Sequence, residues 1–158
     1  MRKRVINAAA SSPRPDSQEE WLDLEEVARV EVTSEDPNFP IEAALAGGQA
    51  PGWRAAEKGR QIIRIVFDNP RTLRRIRLEF SETQIERTQE VTLRWSGEGA
   101  APFQEIVRQQ WNFSPQGSTR EVEDYQVQLK NLSILELIIK PDLTPDNAFA
   151  TLAWCRLA

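Results

Sequence analysis

Gln61-Ile-Ile-Arg-Ile-Val-Phe67 and Arg75-Ile-Arg-Leu-Glu-Phe80 decide the fold class, because apolar and polar side chains alternate along both stretches. In the first stretch one face collects Ile63, Ile65 and Phe67. In the second, one face collects Ile76, Leu78 and Phe80, and the other collects Arg75, Arg77 and Glu79. This period of two is typical of a strand with one side in a core and the other in water.

The same pattern extends outward along most of the chain. Further strands are predicted over Arg29–Ser34, Gln89–Trp95, Phe103–Phe113, Glu121–Leu129, Ile134–Lys140 and Phe149–Leu157. Turn-forming residues separate them at Asp68–Pro70, Ser96–Gly99, Ser114–Gly117, Lys130-Asn131 and Pro141–Pro145. Only Ile41–Leu45 indicates a helical turn. About eight short antiparallel strands predict an all-β fold, an antiparallel β-sandwich or jelly roll.

The length of 158 residues fits one domain with a tail. Residues 1–18 are predicted to be a flexible leader, and residues 19–158 the domain, within which Glu19–Val27 forms either a short helix or an entering strand. The basic start is followed by an apolar segment too short for a signal peptide, and no apolar run reaches the ~20 residues that span a bilayer. We therefore expect a cytoplasmic protein with no membrane span.

Composition excludes several kinds of chemistry. The chain has no histidine and one cysteine, Cys155, which excludes Ser-His-Asp catalysis, histidine-ligated zinc and an intramolecular disulfide. The net charge of −4 opposes nucleic-acid binding by bulk electrostatics.

The candidate catalytic residues have simpler interpretations. Glu121 and Glu123 are interpreted as ordinary exposed surface, and Cys155 as a small buried side chain. No catalytic motif stands out, so the sequence predicts a protein that is not an enzyme.

A family resemblance follows from the order of the motifs, which are Ser34–Pro40, Ala43–Gly47, Gly52–Arg54, Ile62–Phe67, Leu135–Ile139 and Ala150–Leu157. Over roughly residues 27–158 this order resembles the discoidin-like, galactose-binding-like superfamily, which includes coagulation-factor C domains and family 32 carbohydrate-binding modules. The stretch Gly52–Gly59 also resembles the N-terminal domain of an X-ray repair scaffold protein, which works by protein–protein contact. The resemblance implies a galactose-binding-like sandwich and a non-catalytic ligand-binding module. Its partner would be a carbohydrate or, alternatively, a protein.

The resemblance also bears on metal binding. Many members hold a structural calcium ion with an aspartate in the first motif and a glutamate in the last strand. The matching positions here are Ala46 and Trp154. Calcium requires hard oxygen ligands, so the resemblance implies a fold without a strong calcium site, and no cofactor is expected.

In this family the ligand meets loops at one end of the sandwich. The resemblance therefore points to two loops, with the candidate ligand-binding residues Asp36, Asn38 and Phe39 in the first, and Glu82, Gln84 and Arg87 in the second. The alternatives are an Asx-type turn with Phe39 folded back onto the core, and a solvated connection between strands. Trp111 is a further candidate if it faces outward. If it faces inward with Phe113, both are core residues, as Trp53 is expected to be.

Overall fold

The computed structural model describes residues 21–46, 52–99, 102–144 and 147–158. The flexible leader predicted for residues 1–18 lies outside these ranges. The elements are α1 Leu24–Val27, β1 Ala28–Val32, α2 Ile41–Leu45, β2 Trp53–Lys58, β3 Gln61–Ser81, β4 Arg87–Gly97, β5 Gln104–Phe113, β6 Arg120–Lys140, β7 Phe149–Leu152 and β8 Trp154–Leu157. The all-β prediction is confirmed. Ile41–Leu45 forms the predicted helical turn, and Leu24–Val27 forms a short helix within the stretch for which a helix or an entering strand was expected. Neither described helix is long and apolar enough to cross a membrane.

Two long strands, β3 and β6, take part in both layers of the sandwich, and each contains 21 residues. In one layer the strand order is β1-β3-β6-β4-β5. In the other, the second half of β3 pairs with the first half of β6 on one side and with β8 on the other. A separate ribbon of β2 and β7 completes the molecule. All of these pairings are antiparallel, as the alternation predicted.

The predicted turns at Asp68–Pro70 and Lys130-Asn131 are not loops between strands. Both lie inside the long strands, where the register of β3 against β6 shifts between Val66 and Arg75. Asn131 adopts a left-handed backbone with φ of 58°, which asparagine tolerates better than most residues. Bulges bend a strand without ending it, so the chain passes from one layer to the other and the ladder resumes.

The core lies between the two layers. The apolar faces predicted in β3, represented by Ile63 and Leu78, are both buried, each at 1% exposure. Phe80 is in the second layer, yet its ring centroid lies 5.2 Å from that of Trp111 on β5 in the first layer. This contact joins the two layers at β5, which is an edge strand of the first layer.

Arg64, Arg94 and Glu136 form ion pairs on one outer face, whereas Glu121 and Glu123 do not lie on an outer face. On the first layer Glu136 is buried between Arg64, at 2.6 Å, and Arg94, at 3.4 Å. Glu121 and Glu123 do not belong to such a surface. They pair directly with Phe80 and Leu78, and residues directly opposite in an antiparallel pair share a face. Both glutamates therefore lie on the inner face of an edge strand, and the exposed-surface interpretation is wrong.

Candidate functional site

Four connections meet at one end of the sandwich, between β1 and β2, β3 and β4, β5 and β6, and β6 and β7. The register brings the β3–β4 and β5–β6 connections together, because Ser81 pairs with Arg120 and Arg87 pairs with Phe113. The β6–β7 connection joins them where the Leu143 N–H donates to the Thr88 carbonyl at 3.0 Å. This end contains a groove of about 490 Å³. Its walls are formed by Phe39, Trp53, Arg54, Glu79, Ser81, Glu82, Thr83, Gln84, Ile85, Arg120, Phe149, Thr151 and Ala153.

The first wall is the β1–β2 loop, and its own hydrogen bonds shape it. Asp36 Oδ1 accepts from the Asn38 backbone N–H at 2.9 Å, which is the predicted Asx-type turn. The backbone N–H of Asp36 donates to the Arg54 carbonyl at 2.9 Å, and the Arg54 N–H donates to the Phe39 carbonyl at 3.1 Å. These bonds fasten the loop to β2 and place Phe39, half-buried, against the groove. The Asp36 carboxylate is used within the turn, and Asn38 does not line the groove.

The floor is the ribbon of β2 and β7. Trp53 pairs with Leu152, and both are fully buried, so the core interpretation of Trp53 is confirmed. The chain approaches closely here, because a Cβ on Gly52 would lie 2.3 Å from the Leu152 carbonyl oxygen, and Gly52 has a φ of +83°. Arg54 pairs with Thr151 on the opposite face of the ribbon, which faces the groove. The Arg54 guanidinium carbon lies 4.7 Å from the centroid of the Phe149 ring.

The second wall is the β3–β4 connection, and Glu82 organises it. Its Oε2 accepts from the backbone N–H groups of Gln84, at 2.9 Å, and Ile85, at 3.2 Å, and its Oε1 accepts from Arg87 at 2.7 Å. Burial alone would raise the pKa of Glu82, but these hydrogen bonds and the Arg87 charge hold that pKa below its ordinary value. Glu82 is thus an anion with its oxygens occupied, and Gln84 and Ile85 stand exposed at the rim.

Arg87 is not an exposed clamp. Its side chain is fully buried. Its Nη1 donates to Gln89 Oε1 at 2.8 Å and to the Pro141 carbonyl at 2.6 Å, and the guanidinium lies 5.0 Å from the Phe113 ring centroid. Arg87 does not line the groove, and these partners bind it within the protein, so its contact with a ligand stays a prediction. It holds the Glu82 wall to the β6–β7 connection.

Trp111 also faces the core. Its ring packs against Phe80 and, at 6.1 Å between centroids, against Phe113. The ligand-platform interpretation is therefore wrong and the core alternative is right. Sequence reasoning missed Ile85, Arg120 and Phe149 as groove residues. Phe149 reaches the groove only because β7 pairs with the distant β2, and no local pattern signals that pairing.

The described residues contain no group of three or more Cys, Asp or Glu side chains placed to hold an ion. Ala46 and Trp154, the two positions that the family resemblance matched to calcium ligands, offer no side-chain oxygen. A calcium ion would therefore lack the hard ligands that it prefers at those two positions.

Comparison with known proteins bears on the fold. No family model and no curated protein matches the chain. Among solved structures, a family 32 carbohydrate-binding module from a family 31 glycoside hydrolase of Clostridium perfringens is 16% identical, with a TM-score of 0.63, over 87% of this chain and 93% of that one. A pectin-binding carbohydrate-binding module is 14% identical, with a TM-score of 0.58, over 83% and 89%.

A third solved structure, reduced XRCC1 bound to the catalytic domain of DNA polymerase β, is 11% identical, with a TM-score of 0.60, over 84% of this chain and 96% of that one. Identities this low show a shared fold and nothing finer. The chain has the discoidin-like, galactose-binding-like β-sandwich fold.

Proposed function

We propose that this chain is a non-catalytic ligand-binding module that takes a carbohydrate in the groove at the loop end of its sandwich. The observation that carries the proposal is that the rings of Phe39 and Phe149 share one groove with the polar groups of Gln84 and Arg120. A pyranose has an apolar C–H face and a rim of hydroxyl groups, so it needs this combination. The groove volume of about 490 Å³ also lies in the range of small-molecule sites. Modules with the same fold bind sugars, which supports the assignment.

The carboxylates of the groove favour binding over catalysis. Glu79 forms an ion pair with Arg120, and Glu82 forms one with Arg87. Sugar hydrolysis needs a carboxylic acid whose pKa is raised so that it can donate a proton at neutral pH. The pKa of Glu82 is instead held low by its hydrogen bonds. Glu82 therefore serves to shape the groove, and Glu79 is engaged by Arg120.

A titration of the full chain followed by amide NMR tests this proposal. Neutral mono- and oligosaccharides are expected to shift the amide signals of Phe39, Gln84 and Thr151. Phe39→Ala and Phe149→Ala should each weaken binding several-fold, because each removes a stacking surface. Phe103→Ala is the matched control, since Phe103 is also half-buried but stacks on Arg64 and Arg94 outside the groove. Equal affinities in all three variants, or no shifts with any sugar, would overturn the proposal.

A protein partner is the second candidate, and Ile85 favours it. Ile85 is 50% exposed at the rim of the groove, and it is one of two exposed large apolar side chains among the described residues. Peptides selected on the full chain by phage display should then lose binding in Ile85→Asp. They should keep it in Leu143→Asp, because Leu143 is similarly exposed, at 40%, outside the groove. Equal binding by both variants would rule out this candidate.

A further inference from the structure

One of the two arginines that line the groove, Arg54, has no carboxylate partner among the described residues. The two carboxylates that line the groove are each matched by an arginine, Glu79 by Arg120 and Glu82 by Arg87. Arg54 remains, and no ion pair joins it to a carboxylate among the described residues. Lys58, outside the groove lining, has its Nζ 5.9 Å from the Phe149 ring centroid. Arg54 is therefore a cation of the groove whose charge no carboxylate of the described residues neutralises in an ion pair.

The position of Arg54 is well defined. Its backbone N–H and carbonyl are bonded to the β1–β2 loop, at Phe39 and Asp36 respectively. Its side chain lies over the Phe149 ring, which restricts the guanidinium to the groove side of the ribbon. A cation held in place by its backbone and by an aromatic ring loses little entropy when it binds an anion.

Thr151 provides a further polar group beside Arg54. The two residues are directly paired and therefore share the groove face of the ribbon. Thr151 Oγ1 is shielded from water and has no hydrogen-bond partner among the described residues. A rotation about the Cα–Cβ bond would turn this hydroxyl toward a ligand oxygen, and the bond would satisfy a group that is otherwise costly to bury.

From this arrangement we infer that the preferred ligand is an acidic sugar, a hexuronate whose carboxylate binds Arg54 while its ring stacks in the groove. The inference rests on the proposed carbohydrate function. A carboxylate is planar with two oxygens, which matches the paired N–H donors of a guanidinium. A neutral hexose would leave the charge of Arg54 unmatched. The groove should therefore bind the acidic sugar more tightly than the neutral one.

The test compares two ligands that differ in one group. Isothermal titration of the full chain uses trigalacturonate and the corresponding neutral galactose trisaccharide. We expect the acidic ligand to bind roughly 10- to 100-fold more tightly, the range that hydrogen bonds to a charged group supply. Raising sodium chloride from about 0.05 M to about 0.5 M should weaken only the acidic ligand, because salt screens charge attraction.

Variants locate the effect at Arg54. Arg54→Gln should lower the affinity for the acidic ligand to that for the neutral one. Arg54→Lys should retain part of the difference between the two affinities, since lysine keeps the charge but lacks the paired N–H donors of a guanidinium. Arg74→Gln is the control, because it removes the same charge from an exposed site outside the groove. Equal affinity for the two sugars in the unmodified chain, or unchanged selectivity in Arg54→Gln, would overturn the inference and leave the carbohydrate function standing. No binding of either sugar would overturn the carbohydrate function, and the inference with it.

Discussion

Arg87→Met is the substitution with the largest expected effect on stability, because it removes a buried cation and keeps most of its apolar stem. In the native chain the Arg87 guanidinium donates to Glu82 at 2.7 Å, to Gln89 at 2.8 Å and to the Pro141 carbonyl at 2.6 Å. The methionine leaves all three acceptors without their donor. The Glu82 carboxylate, whose side chain is only 13% exposed, keeps its charge in a poorly hydrated place.

The magnitude follows from these contacts. Removing one partner of a buried ion pair costs about 3–5 kcal/mol, since the other charge stays buried and uncompensated. The partial exposure of Glu82 and its two backbone N–H donors offset some of this, so we take about 3 kcal/mol. In a chain of this length, 1 kcal/mol lowers Tm by about 2–4 °C. The expected fall in Tm is therefore roughly 6–12 °C.

Thermal and urea denaturation of the full chain, followed by circular dichroism, measure the change. Arg108→Met is the matched control, because Arg108 pairs with Glu105 at 2.9 Å with side chains 56% and 48% exposed, and exposed pairs contribute about 0–1 kcal/mol. Introducing Arg87→Met into a Glu82→Gln background should cost clearly less than in the native chain, because the uncompensated charge is then absent. Should Arg87→Met lower Tm no more than Arg108→Met does, the buried-pair reasoning is refuted.

Three further predictions concern the core and the ribbon. Burial, and the hydrogen bond with and repulsion from Glu121, raise the pKa of Glu123 to about 7 from 4.5. The stability contributed by its proton should thus be complete below pH 4.5 and be lost as the pH rises toward 7. The free energy of unfolding, measured by urea denaturation at several pH values in this interval, should depend less on pH in Glu123→Gln than in the native chain. Gly52→Ala should lower the free energy of unfolding, measured by thermal denaturation, by about 1–3 kcal/mol or more, because the backbone of Gly52 is left-handed and the Leu152 carbonyl occupies the place of a Cβ. A change under about 0.5 kcal/mol, the effect of a neutral surface substitution, would contradict this. Burial raises the pKa of the Cys155 thiol to about 12, so iodoacetamide should modify Cys155 only in unfolded chain, and rapid labelling of native protein would disprove its inert role.

The alternation of apolar residues predicted the layers of this fold because burial on one face of a strand is a local property. Ile63, Leu78 and Phe80 are buried as their spacing indicated. Alternation does not tell which face turns inward when a strand lies at an edge. Glu121 and Glu123 alternate as residues on a solvent face do, and only their pairing with Phe80 and Leu78 places them inside. That pairing joins distant segments, so the sequence offered no sign of it.

The candidate site, like the fold, was predicted only in part from the sequence. The two loops named from the family resemblance do meet, and Phe39, Glu82 and Gln84 line one groove. Arg87 is buried and Trp111 faces inward, and neither could be predicted, because residue type indicates what a side chain can bind but not where it points. An arginine is usually exposed, and this one is buried because a carboxylate, an amide oxygen and a carbonyl surround it.

Arg87 and Arg54 both lie at the loop end of the sandwich, and we expect Arg87 to contribute to stability and Arg54 to ligand recognition. Arg87 bonds to Glu82, and Glu82 accepts from the backbone of the rim that carries Gln84 and Ile85, so loss of Arg87 should change both Tm and the shape of the groove. Arg54 lies over Phe149, is exposed, and has no carboxylate partner among the described residues. Its loss should therefore leave Tm nearly unchanged while selectivity disappears. At this end of the sandwich the buried Arg87 is paired with a carboxylate and the exposed Arg54 is not, so the charge of Arg54 is available for a ligand, which is why we assign recognition to Arg54.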